Sequence, residues 1–356
     1  MSTPHETQTL LAVFNRVGDL TLSVPLFRAL ARSTRLSLLT RPFGPALLAG
    51  QPWAERIYAL DYPNRGRSTL GTALLGGHRR ALGRELRRDD FERVLIYANE
   101  RSVIKRWLED LFPGRVEEMP RTQTPGVHAS EWYRQAAAGT GCDMSAYEGF
   151  PVLEIPEPAR EQARARLAAV GARVVGVQMG SQRTHAAWPL IPRPHLKALS
   201  VEQWLGLVRR LLEEDHADGV VFHGSPREGA SVRALLRRLP ASARSRCRDF
   251  TDIGLTLLPA VLEQLGALVS VDTGPAHIAA AVGCPLLVVF GPTDPAVFRP
   301  RGRGDIELLV GSAPCQFCHD TPQYGVCRDN VCLGELTQAQ IWAAWLRLRA
   351  RRAVGS

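Results

Sequence analysis

One short segment of the chain combines a strand end, a helix start and small residues in an order that suits phosphate binding. It reads Ser270-Val-Asp-Thr-Gly-Pro-Ala-His277 and follows an apolar run. We expect a helix to begin here with Thr273 as its N-cap, since Pro275 is well tolerated in a first helical turn. The backbone N–H groups of that turn lie at the positive end of the helix dipole, and Gly274 lets a ligand approach them closely. The segment therefore predicts a site for a phosphate group.

Three side chains in the second half of the chain each have two interpretations. Asp272 would repel a phosphate group, so we expect its carboxylate to bind ligand hydroxyls or to order the turn. His277 lies one turn into the helix. It is either a structural histidine or a hydrogen-bond donor to a phosphate group. Glu228 ends the loop Gly224-Ser-Pro-Arg-Glu228 after another apolar run. It either binds a ligand or stabilises a helix start through the dipole.

A further candidate region lies near the N-terminus. The apolar run Leu10–Phe14 predicts a buried strand, Asn15–Asp19 a loop and Leu20–Ala31 a helix. Asp19 is either a cap of that helix or a general base at the carboxyl end of the strand. Arg16 could keep this carboxylate ionised or bind an anionic acceptor.

Four of the seven cysteines fall within eighteen residues of one another, and two of them form a Cys-x-x-Cys pair. The four are Cys315, Cys318, Cys327 and Cys332. Such a thiol cluster predicts a structural zinc or iron site, while packing thiols in a loop remain the alternative. The isolated Cys142, Cys247 and Cys284 are typical of ordinary buried residues.

The elements that must position these groups alternate between strands and helices in each half of the chain, which predicts parallel sheets covered by helices. Further apolar runs predict strands at Leu36–Thr40, Val94–Tyr97, Val174–Gln178, Gly219–His223, Leu268–Val271 and Leu286–Phe290. Ser200 with Gln203, and Thr337 with Gln340, have the spacing of helix capping boxes. Ligands of such sheets bind at the carboxyl ends of the strands.

A proline cluster at 151–158 separates the two halves and predicts an interdomain linker. We expect an N-terminal α/β domain over residues 1–155 and a linker helix over 156–172. A C-terminal α/β domain would follow over 173–335, with the Cys-rich loop at 315–332, and a final helix over 336–352.

Bulk composition limits the class of protein. The chain of 356 residues has 45% hydrophobic and 22% charged residues and a formal net charge of +9. This composition is typical of a globular protein with an anionic partner. The run Leu10–Phe14 lacks the basic flank and cleavage site of a signal peptide, and no apolar stretch reaches membrane-spanning length. We therefore expect a cytoplasmic protein with reduced thiols.

Two separated motifs resemble those of glycosyltransferase family 9, the lipopolysaccharide heptosyltransferases. They are Ser270–His277 with the following Phe290-Gly-Pro-Thr293, and the opening segment Arg16–Leu30. The resemblance implies a GT-B fold, in which two Rossmann-like α/β domains with parallel sheets face a central cleft. It also implies an inverting mechanism without a catalytic metal, ADP-heptose as donor, and a lipopolysaccharide-core or other glycan acceptor.

The resemblance also implies that residues 1–155 form the acceptor domain and residues 173–335 the donor domain, and it implies roles for particular residues. Asp19 would be the general base and Arg16 an acceptor-binding residue. The donor would be bound by Lys197, Glu228, Asp272, Thr273, Gly274 and His277. In related autotransporter heptosyltransferases, a Cys-rich finger similar to the one here holds iron.

The lysine of the donor site has two alignments. The Lys-Arg-Trp-Pro segment of the family matches Lys197 with the downstream Trp204, which makes 181–196 an insertion. Alternatively Trp188-Pro189 takes the Trp-Pro position, which leaves Ala186 at the lysine. We favour Lys197, because a predicted helix follows it at the right distance.

Other classes of function remain to be weighed. Another nucleotide-sugar donor, a protein serine as acceptor, and a nucleotide-sugar binder without activity all fit the same fold. A nicotinamide oxidoreductase is disfavoured, because Asn15–Asp19 has one glycine where the dinucleotide fingerprint needs three. A nucleic-acid binder is disfavoured by scattered basic residues and only 7% aromatic residues. The arginine-rich stretch Arg79–Arg93 is either a solvated helix face or a contact with an anionic membrane surface.

Overall fold

The structure of the protein is a computed structural model, which describes residues 7–61, 76–97, 102–120, 123–180, 196–319 and 321–355. Contacts within the chain divide it into two units, residues 1–151 and 152–356. The division falls at the first proline of the predicted linker.

The first unit is built on a parallel sheet of five strands in the order β3-β2-β1-β4-β5. Its strands are β1 (Gln8–Val13), β2 (Arg35–Thr40), β3 (Arg56–Ala59), β4 (Arg93–Tyr97) and β5 (Val116–Met119). Its helices are α1 (Val17–Leu22), α2 (Val24–Leu30), α3 (Gly44–Leu47), α4 (Gly76–Arg88), α5 (Ser102–Leu111) and α6 (Ala129–Ala138). The strand order reverses between β1 and β4, which makes the carboxyl end of β1 the expected ligand edge.

The second unit is built on a parallel sheet of six strands in the order β11-β10-β9-β6-β7-β8. Its strands are β6 (Val174–Gln178), β7 (Gly219–His223), β8 (Cys247–Asp249), β9 (Ala267–Val271), β10 (Leu286–Phe290) and β11 (Ile306–Val310). Its helices are α7 (Glu157–Ala168), α8 (Val201–Glu213), α9 (Gly229–Arg238), α10 (Ala241–Ser245), α11 (Gly254–Glu263), α12 (Gly274–Ala281), α13 (Pro295–Phe298), α14 (Pro322–Val326), α15 (Val331–Gly334) and α16 (Gln338–Gly355). Here the order reverses between β6 and β9, so the loops that follow these two strands form the expected ligand edge.

The central strands form the core of each unit. Every residue of β6, β7, β9 and β10 is buried, as expected for parallel strands covered by helices on both faces. In the first unit, Leu11 of β1 lies between Leu38 of β2 and Leu95 of β4, and all three are fully buried. The sheets therefore hold their carboxyl-end loops on rigid strands.

The N-terminal helix differs from the prediction. The predicted loop Asn15–Asp19 ends earlier, because α1 begins at Val17 with Arg16 as its N-cap. The predicted helix Leu20–Ala31 is interrupted at Ser23, where α2 begins. Pro25 has no N–H with which to continue the α1 hydrogen bonds, so the chain forms two short helices. Asp19 therefore lies in a first helical turn rather than in a loop.

The linker and tail helices lie close to their predicted ranges. The linker helix α7 lies within the predicted 156–172, with Pro156 as its N-cap, and the tail helix α16 ends at Gly355 rather than at 352. It packs against α11 of the second unit, where Arg160 pairs with Glu263 at 2.8 Å. Both predicted capping boxes form, at Ser200 with Gln203 and at Thr337 with Gln340. Among the described residues, no helix has both the length and the apolarity to cross a membrane.

Candidate active site

The carboxyl edge of the second sheet collects most of the predicted donor-binding residues. Gln178 ends β6, and residues 224–228 and 272–274 follow β7 and β9. The register of these strands is in step, with Gln178 opposite both His223 of β7 and Ser270 of β9. Polar groups from three strands therefore meet at one edge, next to the point where the strand order reverses.

An ion pair lies at the centre of this edge. The Lys197 ammonium is 2.7 Å from the Asp272 carboxylate, and the Thr293 hydroxyl donates to the same oxygen at 2.6 Å. Asp272 is 8% exposed. Burial by itself would raise the pKa of this carboxyl, but the Lys197 ammonium holds the pKa below that of an ordinary aspartate. Asp272 is therefore ionised. It directly precedes the N-cap of α12, so it holds the Lys197 ammonium close to the start of that helix.

The first turn of α12 keeps its backbone donors clear of the Thr273 side chain. Thr273 is the N-cap with extended backbone, but its hydroxyl donates to the Val271 carbonyl and makes no capping bond. Gly274 and Pro275 open the helix. A helix start without a side-chain cap beside a lysine is suited to an anionic ligand.

His277 lies one turn further along α12. It is buried, and its Nδ1 has no hydrogen-bond partner within the described part of the chain. Burial lowers its pKa to about 4. The ring is therefore neutral at pH 7 and carries one N–H donor without a charge.

Glu228 is held by its loop rather than by the helix that it precedes. It occupies the N-cap position of α9 but makes no side-chain cap. One carboxylate oxygen accepts from the Ser225 backbone N–H at 2.7 Å and from the Ser225 hydroxyl at 2.9 Å. The other accepts from the Gln178 amide at 3.2 Å. These bonds fix a buried carboxylate at the ligand edge.

The sequence did not predict Gln178 as a part of this site, and it gave Thr293 no contact with Asp272 although this threonine ends the motif Phe290-Gly-Pro-Thr293. The Gln178 amide bridges Glu228 and the Gly180 carbonyl, and both partners are acceptors. One available signal was a polar residue that ends a wholly apolar strand. For Thr293 the signal was its place in the family motif, which does not reveal the contact with Asp272.

The first unit places Asp19 and Arg16 at the carboxyl end of β1. Arg16 is exposed and is the N-cap of α1, so Asp19 does not cap this helix. Asp19 lies in the first turn, where the dipole favours the ionised carboxylate. The Arg41 guanidinium, which sequence reasoning also missed, donates to the Phe14 carbonyl at 2.6 Å and anchors the end of β1.

The described residues do not test the alternative alignment of the lysine segment. Ala186 and Trp188-Pro189 lie outside the described residues. Lys197 is described, and its contact with Asp272 connects two of the predicted donor residues directly.

The four clustered thiols influence one another. Burial raises the pKa of Cys332 to about 11, and the other three thiols add to this rise. The pKa of Cys318 is likewise raised, mainly by burial and then by the neighbouring thiols of Cys315 and Cys327. Over the described ranges, however, no three His, Cys, Asp or Glu side chains are arranged to hold a metal ion.

Comparison with known proteins defines the family. The model of glycosyltransferase family 9 (heptosyltransferase) matches residues 118–324, which is more than half of the chain. The chain belongs to glycosyltransferase family 9, which confirms the predicted family and enzyme class. A segment of 72 residues is 41% identical to lipopolysaccharide heptosyltransferase 3 of Escherichia coli. This match spans only 20% of this chain and 20% of that protein.

Solved structures support the fold. ADP-heptose LPS heptosyltransferase II of Escherichia coli is 16% identical, with a TM-score of 0.71 over 98% of this chain and all of that one. The iron-containing dodecameric glycosyltransferase TibC of enterotoxigenic Escherichia coli H10407 is 14% identical. Its TM-score is 0.55 over 97% of this chain and 79% of that chain. At these identities the likeness concerns the fold alone, and it confirms the predicted GT-B class with two α/β units on parallel sheets.

A buried histidine beneath the site makes the second unit sensitive to acid. Both ring nitrogens of His223 lack partners among the described residues, and the ring packs edge-on against Phe250. Burial lowers its pKa to about 4. Below pH 6.5, the pKa of His223 in the unfolded chain, the unfolded chain binds a proton at His223 that the folded chain does not bind. The free energy of unfolding therefore falls as the pH falls.

We predict that His223→Leu reduces this loss. Between pH 7 and pH 5, the free energy of unfolding of the variant should fall by about 2 kcal/mol less than that of the parent. Urea unfolding at the two pH values measures the difference. His78→Gln, at an exposed histidine, is the control and should match the parent. Equal acid losses in His223→Leu and the parent would show that His223 is not kept neutral by burial.

Proposed function

We propose that this protein is an inverting glycosyltransferase that moves heptose from ADP-heptose to a lipopolysaccharide-core or other glycan acceptor. The observation that carries the proposal is the buried Lys197–Asp272 ion pair beside the start of α12, in a member of glycosyltransferase family 9. The names of the relatives support the choice of sugar, because two of them are lipopolysaccharide heptosyltransferases.

The donor diphosphate would bind at the first turn of α12. Thr273 and Gly274 would provide backbone contacts, and neutral His277 a hydrogen bond. Lys197 would stabilise the negative charge that grows on the departing diphosphate. Glu228, with its carboxylate already fixed by Gln178, would accept a hydrogen bond from a ribose hydroxyl.

Transfer requires one bond to form as another breaks. The acceptor hydroxyl oxygen attacks the anomeric carbon, and the bond from that carbon to the diphosphate breaks on the opposite face. The acceptor proton passes to the Asp19 carboxylate, and ADP leaves with the bonding electrons. Arg16 would bind an anionic part of the acceptor. In this proposal no step depends on a catalytic metal.

Two related functions fit the same fold. The donor could be another nucleotide-sugar, or the acceptor a protein, as in the autotransporter heptosyltransferases. A third alternative is a protein that binds a nucleotide-sugar without catalysing transfer. Thermal shift with a panel of nucleotide-sugars tests the choice, because a ligand that binds only the folded state stabilises it. Stabilisation by ADP-heptose above other donors is the expected result, and no stabilisation by any donor would overturn the proposal.

The remaining parts of the proposal concern location and metal. We propose a cytoplasmic protein that contacts the inner face of the membrane peripherally. We also propose that Cys315, Cys318, Cys327 and Cys332 bind one structural zinc or iron. Thiolates are preferred ligands of both metals, and a bound cation would offset the burial and the repulsion between thiols that raise the pKa values of Cys318 and Cys332.

Asp19→Asn should separate binding from chemistry. The amide is nearly isosteric with the carboxylate but cannot take up the acceptor proton, so the transfer rate should fall by about a hundredfold or more. Donor affinity, measured by calorimetry, should stay the same. Asp110→Asn, at an exposed acid of the same unit, is the matched control. A variant at Asp19 that keeps most of the parental rate would leave this carboxylate without a catalytic role.

Lys197→Ala should lower turnover by more than about tenfold, because charge on the leaving group loses its cation. It should also lower the free energy of unfolding by about 3 kcal/mol, because Asp272 would be left buried and unpaired. The double variant Lys197→Ala/Asp272→Asn removes that unpaired charge, so it should recover stability but not turnover. Recovery of turnover in the double variant would mean that Lys197 serves only the fold.

Elemental analysis tests the thiol cluster. Protein purified without chelator should contain one zinc or iron per chain, and Cys327→Ser should lose it. Cys284→Ser, at a buried thiol outside the cluster, should retain the metal. Absence of metal from the parent protein, with all four thiols free to react, would refute the site.

A further inference from the structure

Helix α4 carries a row of exposed arginines on its outer side. Arg80, Arg84 and Arg88 are exposed and follow one another at intervals of four residues, so they form one stripe along the helix. We call these three residues the arginine face. Leu82 and Leu86, on the other side, are buried in the core of the first unit. The fold therefore fixes α4 with this stripe towards solvent.

The arginine face differs from most basic positions of the same unit by its lack of partners. None of its three side chains has a hydrogen bond or an ion pair within the described part of the chain. In contrast, Arg35 pairs with Glu55, Arg93 with Glu117 and Arg115 with Asp90. Like charges four residues apart destabilise a helix. A stripe of three thus opposes the stability of α4 unless something outside the chain neutralises it.

A surface depression of about 440 Å³ adjoins two of these arginines. Its lining is Arg56, Ala81, Arg84, Glu85, Arg88 and Asp89. Asp89 already accepts from Arg56 at 3.1 Å and from the Tyr58 hydroxyl. Glu85 is then the one lining acid that no described group engages, against the two cations of the arginine face. The depression is consequently suited to a phosphate group.

The position of the depression separates it from the site of transfer. Arg56 begins β3, and Arg88 is followed by β4 within a few residues, so the depression lies at the amino edge of the first sheet. Asp19 lies at the opposite, carboxyl edge of that sheet. A partner bound along the outer side of α4 therefore leaves the Asp19 region of this unit uncovered.

We propose that the arginine face docks the protein onto an anionic phospholipid bilayer. A bilayer presents many headgroup phosphates in one plane, which matches a straight stripe of unpaired cations on a helix surface. A single-stranded nucleic acid would need aromatic platforms, and the nearby Trp107 ring is covered by the Arg79 guanidinium at 5.4 Å. The choice of a membrane rests on the proposed function, because a lipopolysaccharide-core acceptor is attached to a lipid.

Vesicle co-sedimentation of the full chain tests the docking. The parent should bind phosphatidylcholine vesicles that contain phosphatidylglycerol, should not bind phosphatidylcholine alone, and should dissociate as salt is raised. The triple variant Arg80→Gln/Arg84→Gln/Arg88→Gln should lose about a hundredfold in vesicle partitioning, because each basic residue near the surface contributes about a factor of five.

A matched variant removes the same charge elsewhere. Arg237, Arg244 and Arg349 are exposed arginines of the second unit, and their triple change to Gln also lowers the net charge from +9 by three. This control should bind vesicles like the parent. Equal loss in both triple variants would show that overall charge rather than the arginine face is responsible, and would overturn the proposal.

Two further measurements keep the outcomes distinct. Donor binding by the α4 triple variant should equal that of the parent, since the face lies away from the donor residues in sequence and unit. If the parent binds no nucleotide-sugar yet binds anionic vesicles through α4, the proposed function fails and the docking stands. If DNA displaces the parent from vesicles at equal phosphate concentration, the face is a nucleic-acid surface and the membrane assignment is wrong.

Discussion

The ion pair between Lys197 and Asp272 is the interaction on which the candidate site depends. A carboxylate at this place, next to the start of α12, would by itself repel a phosphate from the helix dipole. The Lys197 ammonium at 2.7 Å cancels that charge, and Thr293 donates a further hydrogen bond to the carboxylate. Because Asp272 is buried, it cannot exchange this cation for water without a large cost. Lys197 is thereby held at the helix start before any ligand arrives.

The parallel sheets supply the other constraint, and they explain how far the sequence could predict the fold. The predicted bounds of the central strands β6, β7 and β10 match the structure, because strands buried on both faces are continuous apolar runs. Four strands were missed: β3, β5, β8 and β11. All four lie at sheet edges. Edge strands are short and partly exposed, so charged residues interrupt the pattern, as in Val116-Glu-Glu-Met119.

A similar division applies to the site. The helix start at Thr273 and Gly274 could be predicted because its signals lie in adjacent residues. Contacts such as Thr293 with Asp272, or Gln178 with Glu228, join residues 21 and 50 positions apart. Their partners follow only from the order of strands in the sheet, which a single sequence does not reveal.

The positive charges that carry the two proposals lie in two different environments. Lys197 is largely buried beside a carboxylate, where a low local dielectric makes its charge strong at short range and little affected by salt. The arginine face is in water, where each charge is weak and is screened within roughly 10 Å at ordinary ionic strength. A buried single cation suits the few ångströms over which a leaving group departs, whereas a row of exposed cations suits an extended anionic surface. The two proposed roles of charge should consequently respond differently to salt, because salt weakens the proposed attachment through α4 while it leaves the electrostatics at α12 almost unchanged.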